Sequence, residues 1–151
     1  LSQRSPRGLI YLLICLGLFP ALIGAIKKVS GLHCPSELSR YDGKHAYRKL
    51  LSARSEDSRD RGHCFPAGHA SGGFALMGLW FVGKDSRSKR AGLLLGLASG
   101  WLMGAYQMLN GAHFLSHTVV TMLLAWVFTL FWANALGVSG VGAARRGGLR
   151  I

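Results

Sequence analysis

The sequence predicts an all-α fold: an integral membrane helical bundle with four spans. Three observations lead there. Half of the 151 residues are hydrophobic and only 16% are charged. The charges come in blocks between uncharged runs, the pattern of a chain that crosses a bilayer repeatedly. Glycine also recurs at every fourth position over Gly92, Gly96, Gly100 and Gly104, a stripe that lets a neighbouring helix approach closely in a membrane. The formal charge of +12 would suit a nucleic-acid partner if it covered a soluble face. Here the basic residues fall in loops and tails, where they set topology and meet anionic lipid head groups, so no nucleic acid is expected.

Residues 8–26 are uncharged and long enough to span a bilayer, with Pro20 as an expected kink. The run exceeds a signal-peptide core, and Lys27-Lys28 end it without a small-x-small cleavage site. The polar segment 27–66 carries nine Lys/Arg and five of the six acids. Within it, Ser36 to Leu51 is expected to hold a short helix broken around Asp42-Gly43, and Ser52 to Gly62 a flexible loop. The second span, 67–83, is the shortest and crosses only if its Ala67-Gly68-His69 turn already lies in the interface. The basic loop Lys84–Arg90 leads to a third span over 91–109. After Asn110-Gly111 comes a fourth over 112–136, and 137–151 reads as a flexible, glycine-rich basic tail. Residues 1–136 thus form one membrane domain. The chain opens on Leu1 rather than methionine, and an N-terminally incomplete chain is expected.

Judged on the short connections, the 84–90 loop is cytoplasmic and the 27–66 segment faces outward, toward a periplasm or equivalent lumen. Cys15 reads as a small buried hydrophobe. Cys34 and Cys64 bracket the polar segment, and a disulfide between them is open to the chain if that side is oxidising.

Chemistry-bearing residues collect at the outer ends of the spans. Lys27 closes the first, His69 opens the second, Gln107 lies near the end of the third, and His113 and His117 begin the fourth. Pro66-Ala67-Gly68-His69 reads as a helix start, whose uncapped N–H groups form a ready anion site. His113 and His117, at i and i+4, are expected on one helix face. Ionisable groups gathered at one membrane surface point to function. A phosphate ester needs cations or N–H donors for its oxygens, a nucleophile and an acid for the leaving alkoxide. Lys27 and the 66–69 turn offer the first, and two imidazoles offer the rest. All six acids lie in polar loops, which argues against paired-carboxylate catalysis.

In these motifs the sequence resembles the type-2 phosphatidic acid phosphatases, whose signature is Lys-x6-Arg-Pro, Pro-Ser-Gly-His and Ser-Arg-x5-His-x3-Asp. Lys27-x6-Cys34-Pro35 falls on the first element, Pro66-Ala67-Gly68-His69 on the second, and Tyr106-Gln107-x5-His113-x3-His117 on the third. The resemblance covers about residues 20–135, and the local wording CFPAGHASGGF and GAHFLSH looks like the bacterial branch with lipid A phosphatases and undecaprenyl-pyrophosphate-linked phosphotransferases. It implies a hydrolase or phosphotransferase acting on a lipid phosphate in the bilayer, without a cofactor, on the outer face of a cytoplasmic membrane. It also implies a six-span fold, so that N-terminal spans are expected to be missing from this chain. By position, His113 would be the nucleophile forming a phosphohistidine, His69 the general acid, and His117 the group orienting His113. Lys27, Gln107 and the backbone around Ala67 and Gly68 would hold phosphate.

The departures weigh on binding. Cys34 and Gln107 stand where arginines are expected, and a hydrogen bond to a charged group contributes about 1.5–3 kcal/mol. Arg61, His63, Lys28 or Arg40 could compensate from the loop. One rival reading is a metal-dependent membrane hydrolase with His113 and His117 as ligands and His69, Cys64 or His63 as others. It lacks the glutamate of an H-E-x-x-H motif, since residue 114 is phenylalanine. A haem binder fits poorly, because the histidines sit at span ends. A catalytically degenerate relative is the remaining alternative.

Overall fold

The computed structural model describes residues 6–49 and 61–138. Five α-helices follow one another: α1 (Pro6–Ser30), α2 (Gly68–Ala75), α3 (Leu79–Val82), α4 (Ser86–Leu109) and α5 (Leu115–Ala135). The protein is an all-helical membrane bundle, in which α1, α4 and α5 are each long and apolar enough to cross a bilayer. Leu13, Leu94, Leu102, Val127 and Phe131 are more than half exposed, an apolar exterior suited to lipid rather than water.

Each long helix buries one stripe. In α1 it is Tyr11, Cys15, Phe19 and Ile23, and the helix runs unbroken through Pro20. In α5 it is His117, Thr121, Ala125, Thr129 and Ala133, with Thr118 beside it. Spacing by four keeps these side chains on one face, one turn above another. In α4 the stripe is Gly92, Gly96, Gly100 and Gly104. A Cβ on these residues would run into Leu79, Met77, Phe74 and Thr118 respectively. The missing side chains are therefore what lets α4 lie on α2 and α3 and reach the start of α5.

The expected second span differs from the other three. It folds as α2, a 3₁₀ turn over Leu76–Gly78, and α3, a rod of 68–82 that rises about 22 Å at 1.5 Å per residue. That falls short of the roughly 30 Å of a bilayer core; α2 buries most of its residues among α1, α4 and α5, while every residue of α3 stays partly exposed. The tightening sits where Gly78 meets α1: a Cβ there would stand 3.1 Å from the Tyr11 hydroxyl. That hydroxyl donates to the Thr129 carbonyl at 3.1 Å and ties α1 to α5.

Helix α4 starts at Ser86, ahead of the expected 91, because Asp85 caps it. The Asp85 carboxylate accepts from Ser88 N–H at 2.8 Å and Arg87 N–H at 2.9 Å. Those bonds, led by the one from Ser88, hold its carboxyl below the usual carboxylate range.

The described part of the polar segment 27–66 is ordered by turns. The short helix expected over Ser36–Leu51 is replaced by 3₁₀ turns at Pro35–Glu37 and Ser39–Tyr41, ended by Asp42 in the left-handed region at φ 65°. Ser36 N–H donates to the Gly111 carbonyl at 3.0 Å, and Cys64 N–H to the Leu32 carbonyl at 2.8 Å. Cys34 and Cys64 are joined by a disulfide, with Cα atoms 5.0 Å apart. The expected flexible stretch 52–62 lies outside the described residues except for Arg61 and Gly62, and Gly62 bridges to Gly31. The expected tail lies outside them from 139 on.

Candidate active site

The C-terminal ends of α1 and α4 and the N-terminal ends of α2 and α5 share one end of the bundle, under the disulfide-closed polar segment. Lys27 is one turn beyond Ile23, on the packed face of α1, and its side chain lies over the first turn of α2. A Cβ on Gly68 would stand 3.9 Å from Lys27 Cδ and 4.0 Å from Nζ.

The first turn of α2 is open. Its N-cap, Ala67, offers no side-chain hydrogen bond. The N–H groups of Gly68, His69 and Ala70 precede the reach of the helix's own ladder. The N–H of buried Ala67 is committed elsewhere, donating to Thr121 Oγ1 at 2.9 Å. The donors beside Lys27 are therefore those of 68–70. His69 is exposed at the rim, whereas His113 and His117 are buried.

The two buried histidines do not share a helix face as expected. Helix α5 begins at Leu115, and its N-cap Phe114 is extended at φ −82°, ψ 156°. His113 therefore precedes the helix and His117 lies in its first turn. The break follows from Gly111, whose φ of +66° turns the chain after α4. The two rings still meet edge to face, with centroids 5.8 Å apart. His117 is further enclosed by Phe65 and Phe114, at 5.2 Å and 5.4 Å, and its Nδ1 has no hydrogen-bond partner among the described residues.

His113 is kept neutral. Burial is the largest cause, followed by the charge of Lys27 and then by His117 and His69, while a hydrogen bond with the Cys64 backbone works the other way. Together they push its pKa down to about 4. A neutral imidazole has the free lone pair that attack requires. His113 Nδ1 lies 3.6 Å from Cys64 Sγ, which leaves Nε2 for chemistry. Gln107 is half-buried in the last turn of α4, and its backbone carbonyl accepts from Ala112 N–H at 2.9 Å.

Cys64, His113 and His117 bring one sulfur and two nitrogens within 4.8 Å of one another. With Cys64 in a disulfide its sulfur is no thiolate, and two imidazoles alone make a weak metal site. A cavity of about 300 Å³ opens against His117, walled by Leu38, Tyr47, Arg48, Phe65 and Phe114. A larger one, about 1160 Å³, lies at the opposite end of the bundle by Arg7, Leu12, Phe81 and Asp85, away from the histidines.

Sequence reasoning missed Thr121 and the position of Cys64. Thr121 stands in an apolar run, and nothing local marks its partner on α2. The sequence marks Cys64 as a disulfide partner or a candidate ligand, and nothing in it marks the seat against His113.

A family model described as PAP2 superfamily matches residues 8–139. The chain belongs to the PAP2 superfamily. That match takes in α1 from residue 8, α2 through α5 and every residue of the candidate site, and it agrees with the resemblance to type-2 phosphatidic acid phosphatases. Family membership makes the protein a phosphatase-type membrane enzyme. No curated protein and no solved structure matches the chain.

Proposed function

We propose that this PAP2 protein removes or transfers a phosphate of a membrane lipid phosphate through a phosphohistidine on His113. The observation that carries the reading is Lys27 lying over the open first turn of α2 beside a neutral His113. The phosphate oxygens take charge from Lys27 and hydrogen bonds from the N–H groups of 68–70. His113 Nε2 attacks phosphorus in line, and the bond to the lipid oxygen breaks. His69, at the rim, gives that oxygen its proton. Water then attacks the phosphohistidine, releasing inorganic phosphate and restoring His113. A second lipid phosphate attacking instead would make the reaction a transfer.

His117 acts as a positioning residue, with its ring held edge-on to His113. In place of the carboxylate of the family signature, His113 has the edge of His117 and, 3.6 Å from its Nδ1, the Cys64 sulfur. Gln107, at the mouth, adds neutral donors without charge. The disulfide-closed outer segment supports placement of the site on an oxidising, periplasm-like face of a cytoplasmic membrane. Lipid A-like, undecaprenyl-pyrophosphate-type and phosphatidate-type lipids share the required phosphate.

Trapping of acid-labile phosphate on the full chain tests the mechanism. With a radiolabelled lipid phosphate, wild type is expected to carry label that is lost in acid, and His113→Ala none. Turnover by wild type with no trapped label on rapid quench overturns it.

A further inference from the structure

We propose that Cys64, His113 and His117 form a zinc site that opens when the Cys34–Cys64 disulfide is reduced, and that zinc held there silences the enzyme. The zinc site rests on the donor set alone. The silencing rests on the reading of His113 as nucleophile.

The donors suit zinc: one sulfur and two imidazole nitrogens, leaving one position open. Their spacing suits it too. Zn–S of 2.3 Å and Zn–N of 2.0–2.1 Å at a tetrahedral angle put sulfur and nitrogen about 3.6 Å apart. Cys64 Sγ and His113 Nδ1 are 3.6 Å apart. The three ligand atoms all lie within 4.8 Å of one another, so modest side-chain rotation brings the third into place. His117 is 5% exposed, and its Nδ1 is buried without a hydrogen-bond partner among the described residues. A buried nitrogen in that state gains from an ion that takes its lone pair. The cavity against His117 gives the ion a way in.

The disulfide sets the condition. Cys64 is fully buried and Cys34 half-buried, so an incoming thiolate reaches the Cys34 sulfur. Attack there forms a mixed disulfide with Cys34 and expels Cys64 as a thiolate toward the histidines. The second thiol of a dithiol reductant then displaces Cys34, which takes up a proton. The reductant leaves as a disulfide, having given two electrons. Zinc binds the Cys64 thiolate directly. Its bond takes the lone pair of His113 Nδ1 and leaves the ring's one proton on Nε2, which then has no lone pair for the attack.

The experiment titrates Zn²⁺ and Co²⁺ into the purified full chain in detergent. Four samples are compared: oxidised wild type, wild type reduced by a dithiol then desalted, Cys34→Ser, and Cys34→Ser/His117→Ala. The readouts are bound zinc, the cobalt–thiolate absorption band and turnover. Thermal unfolding and metal-free turnover confirm that Cys34→Ser is folded. Reduced wild type and Cys34→Ser are expected to bind a single ion with the thiolate band. Oxidised wild type is expected to show neither. The double variant is expected to lose more than the roughly 10–100-fold in affinity that removing an outer-shell partner costs. Stoichiometric zinc is expected to slow Cys34→Ser about tenfold or more and to leave oxidised wild type unchanged. A folded Cys34→Ser that takes up no ion, or an ion without the thiolate band, overturns the site. Equal binding by oxidised wild type overturns the redox condition. Zinc bound to Cys34→Ser with turnover unchanged overturns the silencing. Failure of phosphate trapping with zinc binding intact overturns the phosphohistidine reading and not the zinc site.

Discussion

The N–H of Ala67 donates to Thr121 Oγ1 at 2.9 Å, and the Thr121 hydroxyl donates onward to the His117 carbonyl at 2.9 Å. One buried side chain thereby locks the N-cap of α2 to the first turn of α5. These are the two segments that carry His69 and His117. Replacing Thr121 by valine keeps the shape and strands the Ala67 N–H in a dry interior. A stranded buried donor costs about 1–3 kcal/mol. Thr121→Val is expected to lower thermal stability in detergent and reduce kcat, with Thr121→Ser restoring both. Wild-type behaviour of the valine variant would show that the link does not hold the site.

His113 gives a pH signature. Its folded pKa of about 4 lies below the unfolded histidine value near 6.5. The unfolded chain therefore takes the proton first. The stability contribution is whole above about pH 6.5 and is lost as pH falls toward about 4. The His113 imidazole itself stays neutral over that range. Lys27 is the largest charge working on it, so Lys27→Gln should raise the His113 pKa. The check is the pH dependence of carbethoxylation of His113, followed by mass spectrometry. The midpoint is expected to move to higher pH in Lys27→Gln. Loss of the ammonium should also cut kcat/KM by roughly 10- to 100-fold, from about 1.5–3 kcal/mol for a hydrogen bond to a charged group. An unmoved midpoint would separate Lys27 from His113.

The glycines divide into two kinds, and substitution should tell them apart. A Cβ on Gly100 runs into the ring of Phe74, which is fully buried and stacked edge-on to Trp101 at 6.1 Å. With no room to yield, Gly100→Ala is expected to cost about 1–3 kcal/mol. A Cβ on Gly17 of α1 meets nothing within 4 Å, and Gly17→Ala is expected to be neutral or to stabilise by up to about 1 kcal/mol. Unfolding in a mild detergent series reads both. The opposite order would contradict the packing of α4 on α2.

Local periodicity made part of this site legible. Tyr11, Cys15, Phe19 and Ile23 are buried at intervals of four, and the same step carries on to Lys27. The glycine stripe of α4 likewise declared its packed face. What escaped were features set by distant partners. His113 leaves the helix because Gly111 turns the chain and Ser36 pins that turn from the polar segment. Thr121 meets Ala67 across 54 residues, and Cys64 meets His113 across 49. The shortness of α2–α3 was in the residue count, but the burial of α2 among the longer helices depends on the close approach of α4.

Gln107 offers a test by gain rather than loss. It lies three residues beyond Gly104, whose face meets Thr118 next to His117. Helical spacing puts its position on the side of α4 nearest Thr118. The family signature has arginine here, and arginine brings a charged, two-pronged donor to phosphate where glutamine brings a neutral one. Gln107→Arg is expected to lower KM for the lipid phosphate about tenfold, from the roughly 1.5 kcal/mol lower end for a hydrogen bond to a charged group. kcat should change less if the gain is felt equally in the bound substrate and the transition state. The added charge is also expected to make KM more sensitive to salt. An unchanged KM at low salt would mean that Lys27 and the N–H groups of 68–70 already satisfy the phosphate. The C-terminal end of α4 would then serve the site only as a wall.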